Sequence, residues 1–119
     1  MSLKQAFSSG RSVLSFELFP PKTDAGMADL MKSVEELYIH KPDFFTCTYG
    51  AGGSTRDRTL TITAQVRSQW NVPVASHLTC VGSTRDQLRD YLRLAQQRGV
   101  DYIVALRGDP PKGETSFTA

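Results

Sequence analysis

The sequence predicts an α/β fold built on a parallel sheet. Along the 119 residues, apolar segments typical of buried strands alternate with segments of helical periodicity. A short polar motif ends each apolar segment, and the motifs are marked by Glu17, Thr48, His77 and Asp109. These markers stand about 30 residues apart, the length of one strand–helix unit. Such units, each with a reactive side chain at the strand end, predict the parallel (βα)8 TIM-barrel family, with residues 1–119 as the first four strands, a half barrel.

The first elements follow from polarity and capping residues. Residues 1–11 are polar and form either a short leading helix or a loose arm. Residues 13–19 predict a buried strand that stops at two prolines. Thr23 or Asp24 caps a helix whose apolar positions recur at helical spacing. Those positions are Met27, Leu30, Met31, Val34, Leu37 and Tyr38.

The middle of the chain repeats the same order. A turn at Lys41-Pro42 leads to a strand over residues 44–49, and a glycine-rich loop over residues 50–55 follows it. The next helix carries apolar residues at Leu60, Ile62, Ala64, Val66 and Trp70. Asn71 and Pro73 close this helix, and residues 72–78 predict the third strand.

The last unit has the clearest helix boundaries. Ser83 or Thr84 caps the helix, and Gly99 lies just past its end. Residues 100–106 predict the fourth strand. Alternating strands and helices of this kind form parallel sheets with right-handed crossovers.

Composition excludes several classes of function. Hydrophobic content of 39% and charged content of 22% are ordinary for a globular protein. A net charge of +2 with scattered basic residues is too small to indicate nucleic acid, so we expect no such partner. No apolar run is long enough for a membrane span, and no signal peptide is visible, so we expect a cytoplasmic protein.

The two cysteines, Cys47 and Cys80, form no CxxC motif and no paired framework, so we expect both to be reduced thiols. His77 and Cys80 have metal-ligand spacing but lack further ligands, so we expect no metal.

Glu17 and His77 are the first candidate site residues. Glu17 lies among apolar residues, where a carboxylate loses hydration and its protonated form is favoured, so that it can act as a general acid. The alternative, equally weighted, is a structural Glu that pairs with a neighbouring barrel residue. A lone His in an apolar strand more often anchors the core, but the position of His77 at the same barrel face favours ligand contact.

A second group of candidates follows the fourth strand. Arg107 and Asp109 form either a structural ion pair or contacts with a polar ligand, with Asp109 placed to stabilise a developing cation. The loop of residues 50–53 is of a kind that can approach a ligand closely or present backbone amides to an anion. It is neither a Walker A nor a GxGxxG motif, so the loop alone is a weak signal.

Four segments together resemble the methylenetetrahydrofolate reductase family. They read SFELFPPKT at 15–23, TYGAGG at 48–53 with RDRT at 56–59, HLTC at 77–80, and ALRGDPP at 105–111. Each segment alone is a modest signal, but four in the same order over nearly the whole chain are specific. The family has a (βα)8 barrel of about 300 residues, so the chain resembles its N-terminal two-fifths and is expected to be a fragment.

The resemblance implies an enzyme and its cofactor. Such an enzyme binds FAD and reduces 5,10-methylenetetrahydrofolate to 5-methyltetrahydrofolate, with hydride from NAD(P)H passed through the flavin in ping-pong order. The resemblance implies that Glu17 is the general acid that assists opening of the folate's five-membered ring, and that Asp109 stabilises the resulting cation. It assigns to the flavin Thr48, Tyr49, His77, Arg107, Gly108 and Asp109.

The 119-residue chain by itself raises two further expectations. The family's later flavin and folate contacts fall on strands that this chain lacks, so we expect it to be inactive or nearly so. Its first and fourth strands are open sheet edges, so we expect a homo-oligomer or a self-associating half barrel. One alternative function is a non-catalytic half barrel that self-associates and binds flavin or nucleotide weakly. Another alternative is a barrel enzyme with a phosphate-binding glycine loop. It is disfavoured because a phosphate-binding site does not need the two carboxylic acids, Glu17 and Asp109, that this chain carries at the ends of its first and fourth strands.

Overall fold

A computed structural model describes residues 2–49 and 56–107 of the protein. Strands and helices alternate after a short leading helix, which confirms the predicted α/β class. The elements in chain order are α1 Leu3–Ser8, β1 Ser15–Leu18, α2 Asp24–Tyr38, β2 Phe44–Cys47, α3 Arg56–Trp70, β3 Val74–Thr79, α4 Arg85–Gln97 and β4 Tyr102–Leu106.

The four strands form one parallel sheet in the order β1-β2-β3-β4. Each strand pairs with the next strand in sequence, and helices α2, α3 and α4 connect them. This is the arrangement of the first half of a (βα)8 barrel, as predicted. Within the described residues, β1 and β4 are the two edges of the sheet.

The core lies between the sheet and its connecting helices. Side chains from β2 and β3, among them Phe45 and Val74, are fully buried against Val34 of α2 and Ile62 of α3. A second cluster joins the ends of β2 and β3 to α3 and α4, and it contains Tyr49, Leu60, Leu78, Tyr91 and Ala95. One face of the sheet therefore packs against the connecting helices.

The helix boundaries agree with the capping residues. The hydroxyl of Thr23 accepts a hydrogen bond from the Gly26 amide at 3.1 Å, and Thr84 forms a reciprocal capping box with Gln87. Gly99 follows α4 with φ of 82°, a conformation that suits glycine. The strands are shorter than predicted because ladder pairing ends before the apolar sequence does, so that β1 covers 15–18 rather than 13–19.

The polar N-terminal segment forms a helix, the first of the two alternatives that its sequence allowed. Ser2 caps α1, and the only side chain of this helix that is buried is Ala6. The Leu3 amide donates a hydrogen bond to the Tyr102 hydroxyl at 3.1 Å, which places α1 beside the start of β4. In the described segments, no helix has the length and apolar character needed to cross a membrane.

Candidate active site

Three candidate residues, Glu17, Thr48 and His77, lie on the face of the sheet opposite the connecting helices. Register partners share a face, and so do residues two apart along a strand. We call this side the inner face and define it by one row of register partners, Glu17, Thr46, Ala75 and Tyr102. It continues at Thr48 and His77, two residues beyond Thr46 and Ala75. The inner face therefore carries an acid, an imidazole and hydroxyl groups toward the carboxyl ends of the strands.

Glu17 and His77 are in contact on the inner face. Nε2 of His77 lies 3.1 Å from Oε1 of Glu17. Since β2 lies between β1 and β3, the two strands are separated by roughly 10 Å, and both side chains reach across this gap. The His77 side chain is 13% exposed and that of Glu17 is 50% exposed. The contact joins an enclosed imidazole to a carboxylate that a ligand can reach.

The apolar surroundings expected for Glu17 are not found. Its neighbours Phe16 and Leu18 point to the opposite face of the strand, where both belong to the core against α2. Alternation along β1 therefore leaves the carboxylate half exposed, although the residues beside it in sequence are apolar. The pairing with a barrel neighbour, which was the structural alternative for Glu17, is present, while its role as an acid stays a prediction.

Thr48 and Tyr49 follow β2 and face opposite sides. The carbonyl of Thr48 accepts a hydrogen bond from the Thr59 hydroxyl at 2.7 Å, which fixes the end of β2 to α3. The Tyr49 side chain is buried among the helices, where its hydroxyl donates to the Thr79 carbonyl at 3.1 Å and its ring packs against Tyr91. Any contact between Tyr49 and a ligand on the inner face therefore uses its backbone.

The remaining predicted residues follow β4 or lie in the loop after β2. Arg107 is exposed and directly follows β4. Because β3 and β4 are parallel, it lies at the carboxyl ends of the strands, as does the end of β3. Gly108, Asp109 and the loop of residues 50–55 lie outside the described residues. The structure thus brings Glu17 together with His77, and the position of Asp109 stays a prediction.

The thiols differ in environment. Cys80 is exposed, whereas Cys47 is buried, and burial raises the pKa of the Cys47 thiol to about 12. A thiol of that kind is protonated at neutral pH and is a weak nucleophile and metal ligand. Across residues 2–49 and 56–107, no three His, Cys, Asp or Glu side chains form a cluster that fits a metal ion.

A shallow cleft of about 500 Å³ lies at the other end of the strands. It is formed by the turns that precede β2 and β3, and its lining includes Tyr38, Ile39, Lys41, Asn71 and Pro73. Ligands of parallel α/β folds bind at the carboxyl ends of the strands. The amino-end position of this cleft separates it from Glu17 and His77.

A parallel β1–β4 sheet with ionisable side chains on its inner face defines a protein of the (βα)8-barrel class. Residues 2–119 match the family model described as methylenetetrahydrofolate reductase. The chain belongs to this family.

Proteins of plants and bacteria are similar to this chain. A protein of Oryza sativa subsp. japonica named probable methylenetetrahydrofolate reductase (NADH) is 39% identical over 97% of the chain, and the match covers 19% of that protein. The proteins named 5,10-methylenetetrahydrofolate reductase of Salmonella typhimurium and Escherichia coli are each 41% identical over 87% of the chain, which covers 35% of each protein. The chain therefore spans about a third or less of the length of these relatives.

The contact between Glu17 and His77 was not predicted, although the sequence contains the necessary signal. Both residues occupy inner-face positions when the strands are aligned as successive parallel units, and both have side chains that are long enough to span one strand. The ion pair between Arg11 and Asp43 was also missed, because it joins a polar segment to a strand start and follows no periodic pattern.

Proposed function

We propose that this chain is part of an enzyme that reduces 5,10-methylenetetrahydrofolate to 5-methyltetrahydrofolate with NAD(P)H. Hydride would pass through bound FAD in ping-pong order. The observation that supports this most directly is the accessible Glu17 carboxylate on the inner face, in a chain that belongs to the methylenetetrahydrofolate reductase family. The name of the rice relative specifies NADH and those of the bacterial relatives name no coenzyme, so the proposal includes both NADH and NADPH.

The chemistry of the strand ends fits a flavin nucleotide. A guanidinium group such as that of Arg107 pairs well with a pyrophosphate, and hydroxyl, imidazole and backbone amide groups pair with the polar edge of an isoalloxazine ring. The proposed contacts are Thr48, Tyr49, His77, Arg107, Gly108 and Asp109. When bound, FAD would supply the hydride transfer, and the protein would supply binding and orientation.

Glu17 would serve as the general acid. Its half-exposed carboxyl group is accessible to a folate nitrogen, to which it would donate a proton as the five-membered ring opens. Asp109, beyond the described residues, would stabilise the cation that ring opening produces. The 119-residue chain alone would show little or no activity, because four strands provide only one wall of a barrel site.

The test is Glu17→Gln in the full-length reductase that carries this chain. We expect folate reduction to fall by about 100-fold or more, because a positioned general acid contributes that much, while NADH still reduces the flavin. Stopped-flow absorbance separates the two half-reactions. Glu36→Gln, on the exposed side of α2, is the matched control and should change neither rate. Loss of both half-reactions in Glu17→Gln would refute its role as the folate-specific acid.

The second candidate function is a non-catalytic half barrel that self-associates and binds flavin or nucleotide at most weakly. The two open edges of the described sheet favour it for the 119-residue chain. Absorbance of the purified chain after incubation with FAD tests its flavin binding: retained yellow colour would contradict the weak binding of the second function, and colourless protein would argue for an incomplete flavin site.

A further inference from the structure

We propose that His77 is a positioning residue that holds the carboxyl group of Glu17 in place for proton donation. The proposal rests on the proposed function, in which Glu17 is the acid. It assigns to His77 a task beyond flavin contact, carried out through Nε2, which lies 3.1 Å from Oε1 of Glu17.

The exposure of the two side chains shows which one can fix the other. The Glu17 side chain is 50% exposed, and an unrestrained glutamate at such a position samples several rotamers. The His77 side chain is 13% exposed and has only two rotatable bonds, so it is the more restricted partner. A contact between the two therefore restricts Glu17 far more than His77.

The backbone of His77 is itself held from the helix side. The Ser76 hydroxyl donates a hydrogen bond to the His77 carbonyl at 3.0 Å. Ser76 is fully buried, and its oxygen lies 2.6 Å from the hydroxyl of Tyr91 in α4. Pairing with Val104 in β4 adds the sheet as a second support. His77 is thus fixed by both α4 and β4 before it contacts Glu17.

The contact also makes the two oxygens of the Glu17 carboxyl group inequivalent, because only one of them faces His77. The proposal places a hydrogen on Nε2 of His77, which donates it to Oε1 of Glu17. The proton that Glu17 donates to the substrate then belongs on Oε2. An acid whose proton must lie at one oxygen delivers it in one direction, and misplacement by about 1 Å reduces rates by about 100-fold in enzyme sites. His77 therefore determines where the proton is presented.

The contact itself is tested by NMR of the 119-residue chain labelled with ¹⁵N. The sequence has two histidines, His40 and His77, so His40 is an internal control. We expect Glu17→Gln to shift the imidazole Nε2 resonance of His77 and to leave that of His40 in place. An unchanged His77 resonance in the folded variant would overturn the proposal, whatever the enzyme's function.

The positioning role is tested with two amides in the full-length reductase. Glutamine places its amide nitrogen near the position of Nε2, whereas asparagine is one carbon shorter and reaches only the position of Nδ1. Rates of the folate half-reaction are measured per bound flavin, which removes differences in flavin affinity. We expect His77→Asn to lose about 100-fold and His77→Gln to retain at least about tenfold more activity than His77→Asn.

The outcomes separate this proposal from the proposed function. Equal rates for His77→Gln and His77→Asn, whether high or low, would refute positioning through Nε2. If Glu17→Gln reduces folate normally, the proposed acid is wrong and the positioning role falls with it. If Glu17→Gln is inactive toward folate while the two His77 variants are equal, the acid stands and only the positioning role is refuted.

Discussion

Asp43 at the start of β2 binds both terminal nitrogens of Arg11, which lies 32 residues earlier in the chain. The two hydrogen bonds are 3.1 and 2.6 Å long, a bidentate geometry that is typical of a guanidinium group paired with a carboxylate. The same carboxylate accepts the Leu14 amide at 2.9 Å, and the Asp43 amide donates to the Leu14 carbonyl at 2.7 Å. Asp43 therefore links the segment before β1 to the start of β2 through side-chain and backbone hydrogen bonds.

This arrangement predicts an acid-sensitive stability. The hydrogen bonds from Arg11, and next the one from the Leu14 amide, hold the pKa of Asp43 below its usual value. A carboxyl group whose pKa is lower in the folded state stabilises the protein above its unfolded-state pKa, and this contribution is lost as pH falls through the folded value. We expect the free energy of unfolding to decrease as the pH is lowered below about 4.

Asp43→Asn is the direct test of that expectation. Chemical unfolding between neutral and acidic pH should show a lower stability at neutral pH and a flatter acid dependence than in the unmodified protein. Asp90→Asn, on the exposed side of α4, is the matched control and should leave the curve in place. An acid dependence that survives unchanged in Asp43→Asn would contradict the assignment.

Two isoleucines provide a test of the helix-side core. Ile62 is fully buried between α3 and the sheet, whereas Ile39 after α2 is 74% exposed. Ile62→Ala should lower the free energy of unfolding by about 2–5 kcal/mol, because it removes buried methyl groups and leaves a cavity. Ile39→Ala removes the same atoms and should change stability by about 0.5 kcal/mol or less. Urea unfolding measures both variants, and a similar loss of stability in the two would contradict the buried position of Ile62.

The fold followed from local signals to a large extent. Helices α2 and α4 begin where the capping rules predict, after Thr23 and Thr84, and α4 ends shortly before Gly99. These boundaries were predictable because caps depend on residues within one turn. Strand boundaries were less accurate. Leu14 is apolar yet 40% exposed and lies outside β1, because ladder pairing, and not hydrophobicity, decides where a strand begins.

The site was less predictable than the fold. The motifs marked Glu17 and His77 separately, but their contact depends on the register of three strands and on side chains that cross β2. The apolar neighbours of Glu17 were misleading, because they belong to the opposite face of β1. Tyr49, which was predicted beside the flavin, has its side chain in the helix-side core, since the same alternation turns it away.

The two cysteines should react differently with an alkylating reagent. Cys80 is exposed, whereas Cys47 is buried with a pKa raised to about 12. Because the thiolate is the reactive form, iodoacetamide at neutral pH should modify one thiol in the native chain and two in denaturant. Intact mass gives the number of labels. Cys80→Ser should remain unlabelled until it unfolds, and rapid native labelling of that variant would contradict the buried position of Cys47.

The 119-residue chain should associate with itself through its sheet edges. β1 and β4 are the edges of the described sheet, and Leu106 at the end of β4 is 41% exposed. Unpaired edges and exposed apolar side chains favour pairing with another chain. Light scattering over a range of concentrations should therefore give a mass above that of the monomer.

A pair of lysine substitutions locates the contact. Leu106→Lys puts a charge on the β4 edge, which opposes edge pairing, and should raise the dissociation constant about tenfold or more, equivalent to about 1.4 kcal/mol. Leu92→Lys is the matched control, because Leu92 is also 41% exposed but belongs to helix α4 and not to a strand. Equal weakening by both variants would show that association is not through β4, and a monomer at all concentrations would contradict the prediction altogether.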